Sequence, residues 1–317
     1  MTEYRFVSVG DDAAAWGHRL ARYPAVPLTQ TGGYGAARAE SGAWRVERGV
    51  IERDGREVAV AQVLVRGLPI VGGGLAWVGR GPLAPSADVL VALRKHYVDG
   101  RGLYLRVAPP VSGLLEVPGF RVTDTPGWAS AMIDLRRDLA ALRAALDQKW
   151  RNGLNKAERS GARVERSTLD GFLSEYRDFV AARGFSTTVT PELLAALGRH
   201  MPLVIYRATL DGTPLGSALI ARYGDGAEYL AGTLLDAGRA YNAGQFLLWR
   251  AMEEMKQGNV ARFDVGGMDE LLTPKGIYDF KFGLGGTPYR YANELEADDG
   301  GLRARMVRWR IQRARAA

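Results

Sequence analysis

The strongest constraint on the fold is a run of three alternating segments at residues 203–232, LVIYRATLDGTPLGSALIARYGDGAEYLAG. Along each segment apolar and polar side chains alternate, as in strands with one buried face. The segments are separated by Asp211-Gly212 and by Gly224-Asp225-Gly226, whose residue types suit the backbone angles of tight turns. Because such short turns join antiparallel neighbours, the run predicts a three-stranded meander.

Helix and strand patterns surround this meander in a definite order. A long amphipathic helix is predicted from about Arg136 to Gly161, with an apolar face made of Leu139, Leu142, Leu146, Trp150, Leu154 and Ala157. A strand and two helices are then predicted at 162–167, 169–183 and 191–199. The meander is followed by a helix at 244–257, the strand VARFDVGG, a helix at 275–282 and a strand near PYRYANEL.

This order, β, α, α, βββ, α, β, α, β, resembles the acyltransferase fold of the GCN5-related N-acetyltransferase (GNAT) superfamily. The first third of the chain shows a looser version of it, including a hairpin signal at Asp54-Gly55. We therefore predict an α/β (α+β) fold with two GNAT-like lobes in tandem, joined by the long amphipathic helix. The expected boundaries are 1–138 for the first lobe, 139–160 for the connecting helix, 161–296 for the second lobe and 297–317 for a basic C-terminal helix.

Composition excludes several kinds of chemistry. The 317 residues include no cysteine, so thiolate nucleophiles, disulfides and cysteine metal sites are excluded. The three histidines lie far apart in sequence, which disfavours a histidine metal site, and we expect no metal or resident cofactor. The chain shows no apolar run long enough to span a bilayer and no signal-peptide pattern, which predicts a cytoplasmic location. The net charge of +7 favours a polyanionic partner, although arginine richness is also typical of a high-GC genome.

Several segments in series resemble the Fem-type aminoacyltransferases, which transfer an amino acid from aminoacyl-tRNA to an amine of a cell-wall precursor. The segments are TQTGGYGAARAESGAW at 29–44, GRGP at 79–82, YLRVAPP at 104–110, KWRNGLNKAERSGARV at 149–164, YLAGTLL at 229–235 and ARFDVGGMDELLTPKGIYDFKFGLGG at 261–286. The resemblance implies an aminoacyl-tRNA donor and an amine acceptor such as a muropeptide precursor.

The resemblance places the Phe-Lys step of that family at Phe280 and Lys281, within YDFKFGLGG. Aminolysis of an ester needs a positive group to stabilise the negative oxygen of the tetrahedral intermediate. A partly desolvated lysine between two phenylalanines fits this role. The alternative is a lysine whose charged end reaches solvent past an apolar stem.

The sequence FDVGG, with Asp264 followed by Gly266 and Gly267, marks a second candidate. Glycines after a strand allow a sharp turn and a close approach to a ligand. Asp264 either orients the acceptor amine and takes its proton, or caps the turn as aspartates often do. The sequence leaves both roles open.

Further candidates bind substrate or donor. The resemblance implies such roles for Tyr34, Arg38, Arg151, Tyr229 and Tyr278. Arg151 shares a basic helix face with Lys149, Lys156 and Arg159, which either contacts tRNA phosphates or is an ordinary solvated face. The segment RAYNAGQFLLW partly fits the pyrophosphate loop of acyl-CoA enzymes, but Asn242 stands where that loop has its first glycine, and an N-cap role is the alternative. The segment GFSTTVTPELL at 184–194 offers no arginine where a muropeptide-binding enzyme would supply a basic residue.

The C-terminal segment GLRARMVRWRIQRARAA is a basic helical pattern without acidic residues. It can contact RNA or an anionic lipid surface, or it can pack on the first lobe through Met306 and Trp309. Two other functions compete with aminoacyl transfer. One is acyl-CoA-dependent N-acylation of an amino sugar or other small amine, and the other is RNA binding without chemistry.

Overall fold

The computed structural model describes residues 3–68, 73–113, 115–183 and 188–316. The chain forms two compact units. Unit 1 consists of Met1–Trp128 and Arg290–Ala317, and unit 2 of Ala129–Tyr289. Within the described residues each unit holds one seven-stranded sheet with its own helices, which confirms the predicted α/β architecture of two units in tandem.

The strands are β1 (Tyr4–Val9), β2 (Arg45–Arg53), β3 (Arg56–Leu68), β4 (Gly73–Val78), β5 (Tyr104–Val107), β6 (Arg121–Val122), β7 (Ala129–Asp134), β8 (Arg163–Ser167), β9 (Leu203–Leu210), β10 (Thr213–Tyr223), β11 (Gly226–Leu234), β12 (Arg262–Asp264), β13 (Thr287–Arg290) and β14 (Leu295–Ala297). The helices are α1 (Ala13–Leu20), α2 (Gly32–Ser41), α3 (Ala87–Arg94), α4 (Leu139–Ala145), α5 (Gln148–Arg159), α6 (Leu169–Arg183), α7 (Pro191–His200), α8 (Asp236–Ala240), α9 (Ala243–Gln257), α10 (Lys275–Phe282) and α11 (Leu302–Ala316).

A parallel pair of strands lies near the middle of each sheet. Unit 1 has the strand order β1-β2-β3-β4-β5-β14-β6, and β4 runs parallel to β5. Unit 2 has the order β13-β7-β12-β11-β10-β9-β8, and β11 runs parallel to β12. The predicted meander is β9-β10-β11, with Asp211, Gly212 and Gly224 in the left-handed backbone region that its turns require.

Two helices stand where one long helix was predicted. Helix α4 ends before Leu146, whose backbone is extended, and Asp147 starts α5 by accepting hydrogen bonds from the N–H groups of Lys149 and Trp150 at 2.8 and 3.3 Å. The buried residues Leu142, Leu146 and Leu154 all belong to the core of unit 2. Apolar residues recur at the same spacing whether this segment forms one helix or two. The break is therefore set by the Asp147 cap and not by the apolar pattern.

The compact units also differ from the expected boundaries. The chain enters unit 2 at Ala129 and returns to unit 1 at Arg290. The return is needed because β14 lies between β5 and β6, so a late strand completes the first sheet. Sequence periodicity does not show such long-range pairing.

Helix α11 packs on unit 1 through different residues than expected. Ala304 and Val307 are 7% and 1% exposed, and the helix lies against β4 and β5. Met306 and Trp309 are 51% and 56% exposed. Small side chains bring the helix close to the sheet, which turns the large ones outward. No helix in the described part of the chain is long and apolar enough to cross a membrane.

Candidate active site

Lys281 lies on α10 with its charged end held inside unit 2. Its Nζ donates a hydrogen bond to the carbonyl oxygen of Gly267 at 2.9 Å and lies 5.4 Å from the centre of the Tyr229 ring. Burial lowers the pKa of Lys281 from 10.5 to about 8, and the negative charges of Asp264 and Glu228 partly oppose this shift. The group is therefore a positioned cation at neutral pH, and the geometry disfavours a lysine that simply reaches solvent.

The backbone of α10 is fixed by an aromatic contact on the side of Phe280. The Trp150 ring lies 6.0 Å from the Phe280 ring, and its Nε1 donates to the Phe280 carbonyl at 3.0 Å. A Cβ on Gly283 would lie 2.7 Å from the Trp150 ring, so only glycine lets the helix end this close to it. These contacts fix the backbone at Phe280, the residue before Lys281, and thereby limit the directions in which the lysine side chain can point.

Asp264 ends β12 and organises the turn that receives the lysine. The carboxylate is 3% exposed and accepts hydrogen bonds from the Gly266 N–H at 2.9 Å, from Tyr289 Oη at 2.5 Å and from Ser130 Oγ. Gly266 has a φ of +73°, and a Cβ there would lie 2.2 Å from the carbonyl oxygen of Tyr229. Three donors surround the Asp264 carboxylate. This geometry matches the second of the two predicted roles, in which the aspartate caps the turn.

Two aromatic candidates have different surroundings. Tyr229 is half-buried, its ring faces the Lys281 ammonium, and burial raises the pKa of its hydroxyl. Tyr278 stacks on Phe282 with ring centres 5.9 Å apart. Phe282 is 52% exposed, so this stack lies at the outer side of α10.

The start of α9 is covered by a side chain from the candidate site. Asn242 occupies the N-cap position with a φ of +52°, and its side chain makes no capping hydrogen bond. A Cβ on Gly244 would lie 3.3 Å from the Phe280 ring. Phe280 thus packs on the first turn of α9, where the acyl-CoA interpretation of this segment requires pyrophosphate.

The remaining candidates belong to helices α5 and α2. Arg151 of α5 donates to the carbonyl of Ala144 at 3.3 Å, at the end of α4. Tyr34 and Arg38 belong to α2 of unit 1, where Tyr34 is buried and the Arg38 guanidinium lies 5.7 Å from the Trp44 ring. The Nε of Arg38 is buried and has no hydrogen-bond partner among the described residues. Residues 184–187 of the segment without arginine lie outside the described residues.

The structure brings Lys281, Phe280, Asp264, Gly266, Gly267 and Tyr229 together. It adds four residues that sequence reasoning missed, namely Ser130, Trp150, Glu228 and Tyr289. Ser130 and Glu228 are buried polar residues within strands β7 and β11, at 1% and 2% exposure. A polar residue between apolar neighbours in WASAMIDL and GAEYLAG is the signal that could have found them.

Comparisons with known proteins agree with this architecture. The sequence profile of the Acetyltransferase (GNAT) domain family matches residues 129–289, which are half of the chain and coincide with unit 2. The crystal structure of FemX is similar with a TM-score of 0.78 and 15% identity, covering 96% of this chain and 99% of FemX.

Two further solved structures share the fold. A tandem GNAT protein from the clavulanic acid biosynthesis pathway has a TM-score of 0.53 and 15% identity, covering 94% of this chain and 99% of its own. L-PGS from Bacillus licheniformis has a TM-score of 0.53 and 14% identity, covering 95% and 96%. No curated protein matches the chain in sequence. The chain belongs to the GNAT acetyltransferase-domain family, and the protein is an acyltransferase with a FemX-like tandem fold.

Proposed function

We propose that the protein transfers an amino acid from aminoacyl-tRNA to an amine acceptor, a cell-wall peptide precursor or a related amine, and forms an amide bond. The observation that carries the proposal is the half-buried Lys281 ammonium, bonded to the Gly267 carbonyl beside Tyr229. The FemX-like fold over 96% of the chain and the Phe280-Lys281 step support it. Charged tRNA is a cytoplasmic donor, so we place the reaction there.

The chemistry follows from the hydrogen-bonding capacity of the lysine. An ammonium group has three donors, and among the described residues one of them is bonded, to Gly267. The other two are available to the carbonyl oxygen of the aminoacyl ester. When the neutral acceptor amine attacks that carbonyl carbon, negative charge develops on the oxygen and a partly desolvated cation stabilises it strongly. The C–O bond to the ribose then breaks, and the amine proton passes to the leaving hydroxyl.

Asp264 serves this reaction as a positioning residue. It holds the N–H of Gly266 and thereby fixes the carbonyl of Gly267 that orients Lys281. Its charge also favours the protonated lysine. We assign binding of donor or acceptor to Tyr34, Arg38, Arg151, Tyr229 and Tyr278, as the resemblance to the family implies. Asn242 is a binding candidate for the acyl-CoA alternative, whose pyrophosphate loop it partly fits.

The direct test incubates the protein with charged tRNA and a set of muropeptide and simple amine acceptors, and measures amide product by mass spectrometry. We expect a product that requires both tRNA and acceptor. If tRNA binds and no acceptor gives product, the proposal fails and the RNA-binding alternative stands.

A second candidate, acyl-CoA-dependent N-acylation of an amino sugar or other small amine, is favoured by the match to the GNAT acetyltransferase domain. The packing of Phe280 on Gly244 argues against it, because that ring covers the helix start at which a pyrophosphate would bind. A thermal shift experiment separates the two donors. A ligand at 100 times its Kd stabilises the protein by about 2.7 kcal/mol, and a large shift with CoA but none with tRNA would select the second candidate.

A further inference from the structure

Helix α11 carries an exposed apolar stripe on the face that points away from the sheet of unit 1. Leu302, Met306 and Trp309 are 76%, 51% and 56% exposed. Their spacing of four and three residues places them on one face of the helix. Ala304 and Val307, on the opposite face, are buried. The stripe is therefore no part of the packing between α11 and its own sheet.

Arginines line both edges of this stripe. At 100° per residue, Arg305 falls on one edge, Arg303 and Arg310 on the other, and Arg313 continues the stripe itself. All four are exposed, and the Arg313 guanidinium lies 5.2 Å from the centre of the Trp309 ring. The sequence of α11 holds six arginines and no acidic residue.

Arg308 of α11 faces unit 1 and has a different function. Arg308 is paired with Glu296 at 3.4 Å and with Asp298 at 2.7 Å. These carboxylates hold the inner side of the helix, so its four outward arginines are not needed to attach it to the sheet. The basic charge of the outer face thus calls for another explanation.

We propose that the outer face of α11 docks on an anionic phospholipid surface, with Leu302, Met306 and Trp309 inserted among the acyl chains and the flanking arginines at the headgroups. A helix with an apolar face, an aromatic residue and a basic border lies in the plane of such an interface. Each arginine that reaches an anionic surface strengthens binding by about fivefold. An RNA backbone would use the arginines but would leave leucine and methionine in water, which favours the lipid.

This inference does not depend on the donor or acceptor of the transfer reaction. It is tested with the full chain by co-sedimentation with phosphatidylcholine vesicles that contain or lack phosphatidylglycerol. We expect binding to the anionic vesicles that weakens by more than about tenfold when phosphatidylglycerol is left out or salt is raised. Equal binding to both vesicle types, or to neither, would overturn the proposal.

Two multiple-substitution variants test the apolar stripe and the arginines of α11 separately. Replacing Leu302, Met306 and Trp309 together with serine should abolish binding, and replacing Arg303, Arg305, Arg310 and Arg313 with glutamine should remove its salt dependence. The matched control is Leu271→Ser with Leu272→Ser, because these leucines of unit 2 are 90% and 68% exposed but lie outside α11. The control should bind like the wild type. If it lost binding as fully as the serine variant of the stripe, α11 would not be the docking element.

A spectroscopic measurement covers the case in which the serine variant does not fold. Brominated lipids should quench tryptophan fluorescence of the wild type, and Trp309→Phe should lose this quenching while its thermal stability is unchanged. Quenching that persists in Trp309→Phe would contradict insertion of the stripe. A stripe-dependent dimer in gel filtration without vesicle binding, or stripe-dependent tRNA binding without vesicle binding, would equally overturn the proposal.

Discussion

Units 1 and 2 have sheets of the same kind, and each carries a buried polar cluster of different composition. One buried cluster of unit 1 is made of amides and one guanidinium. Gln30 Nε2 donates to the Gly79 carbonyl at 2.9 Å, its Oε1 accepts from the Gln62 N–H at 2.8 Å, and Arg48 Nε donates to Gln62 Oε1 at 3.0 Å. These bonds attach the segment before α2 to β2, β3 and the loop after β4.

In unit 2 the corresponding cluster is ionisable. It contains Asp264, Glu228 and Lys281 around the end of the parallel pair β11-β12, and the pKa of Lys281 falls to about 8. The amides of unit 1 cannot change their charge near neutral pH, whereas the lysine can. A saturated amide network stabilises a fold, and a desolvated cation with unused donors can act on a substrate. This difference supports our proposal that the chemistry belongs to unit 2, which the GNAT profile also matches.

The largest effect on transfer activity is expected from a substitution of Lys281. Replacement with methionine removes the cation while keeping an apolar stem, and we expect transfer to fall by about 10²- to 10³-fold, the usual cost of losing one oxyanion donor. Thermal stability should be unchanged or higher, because a desolvated charge is removed. The control is Lys275→Met on the same helix, which is 86% exposed and pairs with Asp279. Equal turnover in both variants would refute the catalytic role.

Asp264→Asn tests the positioning role in the same cluster. The amide cannot accept all three hydrogen bonds, so the turn at Gly266 should shift and transfer should fall by about 10- to 100-fold. Because the charge of Asp264 raises the pKa of Lys281, the variant should also move the alkaline limb of the pH profile to lower pH. Tyr289→Phe removes one hydrogen bond without removing charge and should leave that limb in place. A limb that moves equally in both variants would contradict this assignment.

The activity and the stability of the wild type should depend on pH through Lys281 of unit 2, whereas the amides of the unit 1 cluster do not titrate. Lys281 is protonated below a pKa of about 8, so kcat/KM should fall by about tenfold per pH unit above it. The unfolded chain keeps this lysine protonated up to about 10.5. The folded state therefore binds fewer protons between about 8 and 10.5, and Lys281 makes stability rise with pH in that window. The Lys281→Met variant should lack both effects, which pH-rate profiles and thermal melts at matched pH would show.

The smallest effect on transfer is expected in unit 1. Gln30→Ala leaves the buried Gln62 N–H without its acceptor, and the free energy of unfolding should fall by about 1–3 kcal/mol. Transfer per folded molecule should be unchanged, since this cluster stabilises and does not react. Urea denaturation and an assay at low temperature measure the two quantities, with the exposed Gln148→Ala as control. A large fall of kcat in the folded Gln30 variant would show that unit 1 takes part in the chemistry, whereas a rise of KM alone would reflect the binding roles proposed for Tyr34 and Arg38 on the adjacent α2.

Much of the fold could be predicted from local patterns. The meander, α9 and α10 follow from alternation, turn residues and helical spacing, and the structure confirms them within one or two residues. Two features escaped this reasoning, the break at Leu146-Asp147 and the return of the chain to unit 1 at Arg290. The first depends on one capping side chain, and the second on a pairing of strands nearly 200 residues apart.

The candidate site shows the same limit at the level of side chains. The Phe280-Lys281 step and the FDVGG turn stand out in the sequence, but nothing in it shows that Gly267 accepts from the lysine. The contributions of Ser130 and Tyr289 were missed because each is an ordinary polar residue until the fold brings it to Asp264. Likewise, the sequence identified the basic tail but left open whether Met306 and Trp309 pack on unit 1, and the structure places both side chains on the exposed face.

The sequence by itself determined which segments become strands and helices, the absence of cysteine chemistry, and the lysine in its aromatic setting, because these depend on residue type and short-range spacing. Only the tertiary structure decided which polar groups lose their water and which carbonyl the lysine meets. Desolvation and hydrogen bonding depend on distant parts of the chain, and they set the lowered pKa that distinguishes Lys281 from an ordinary surface lysine.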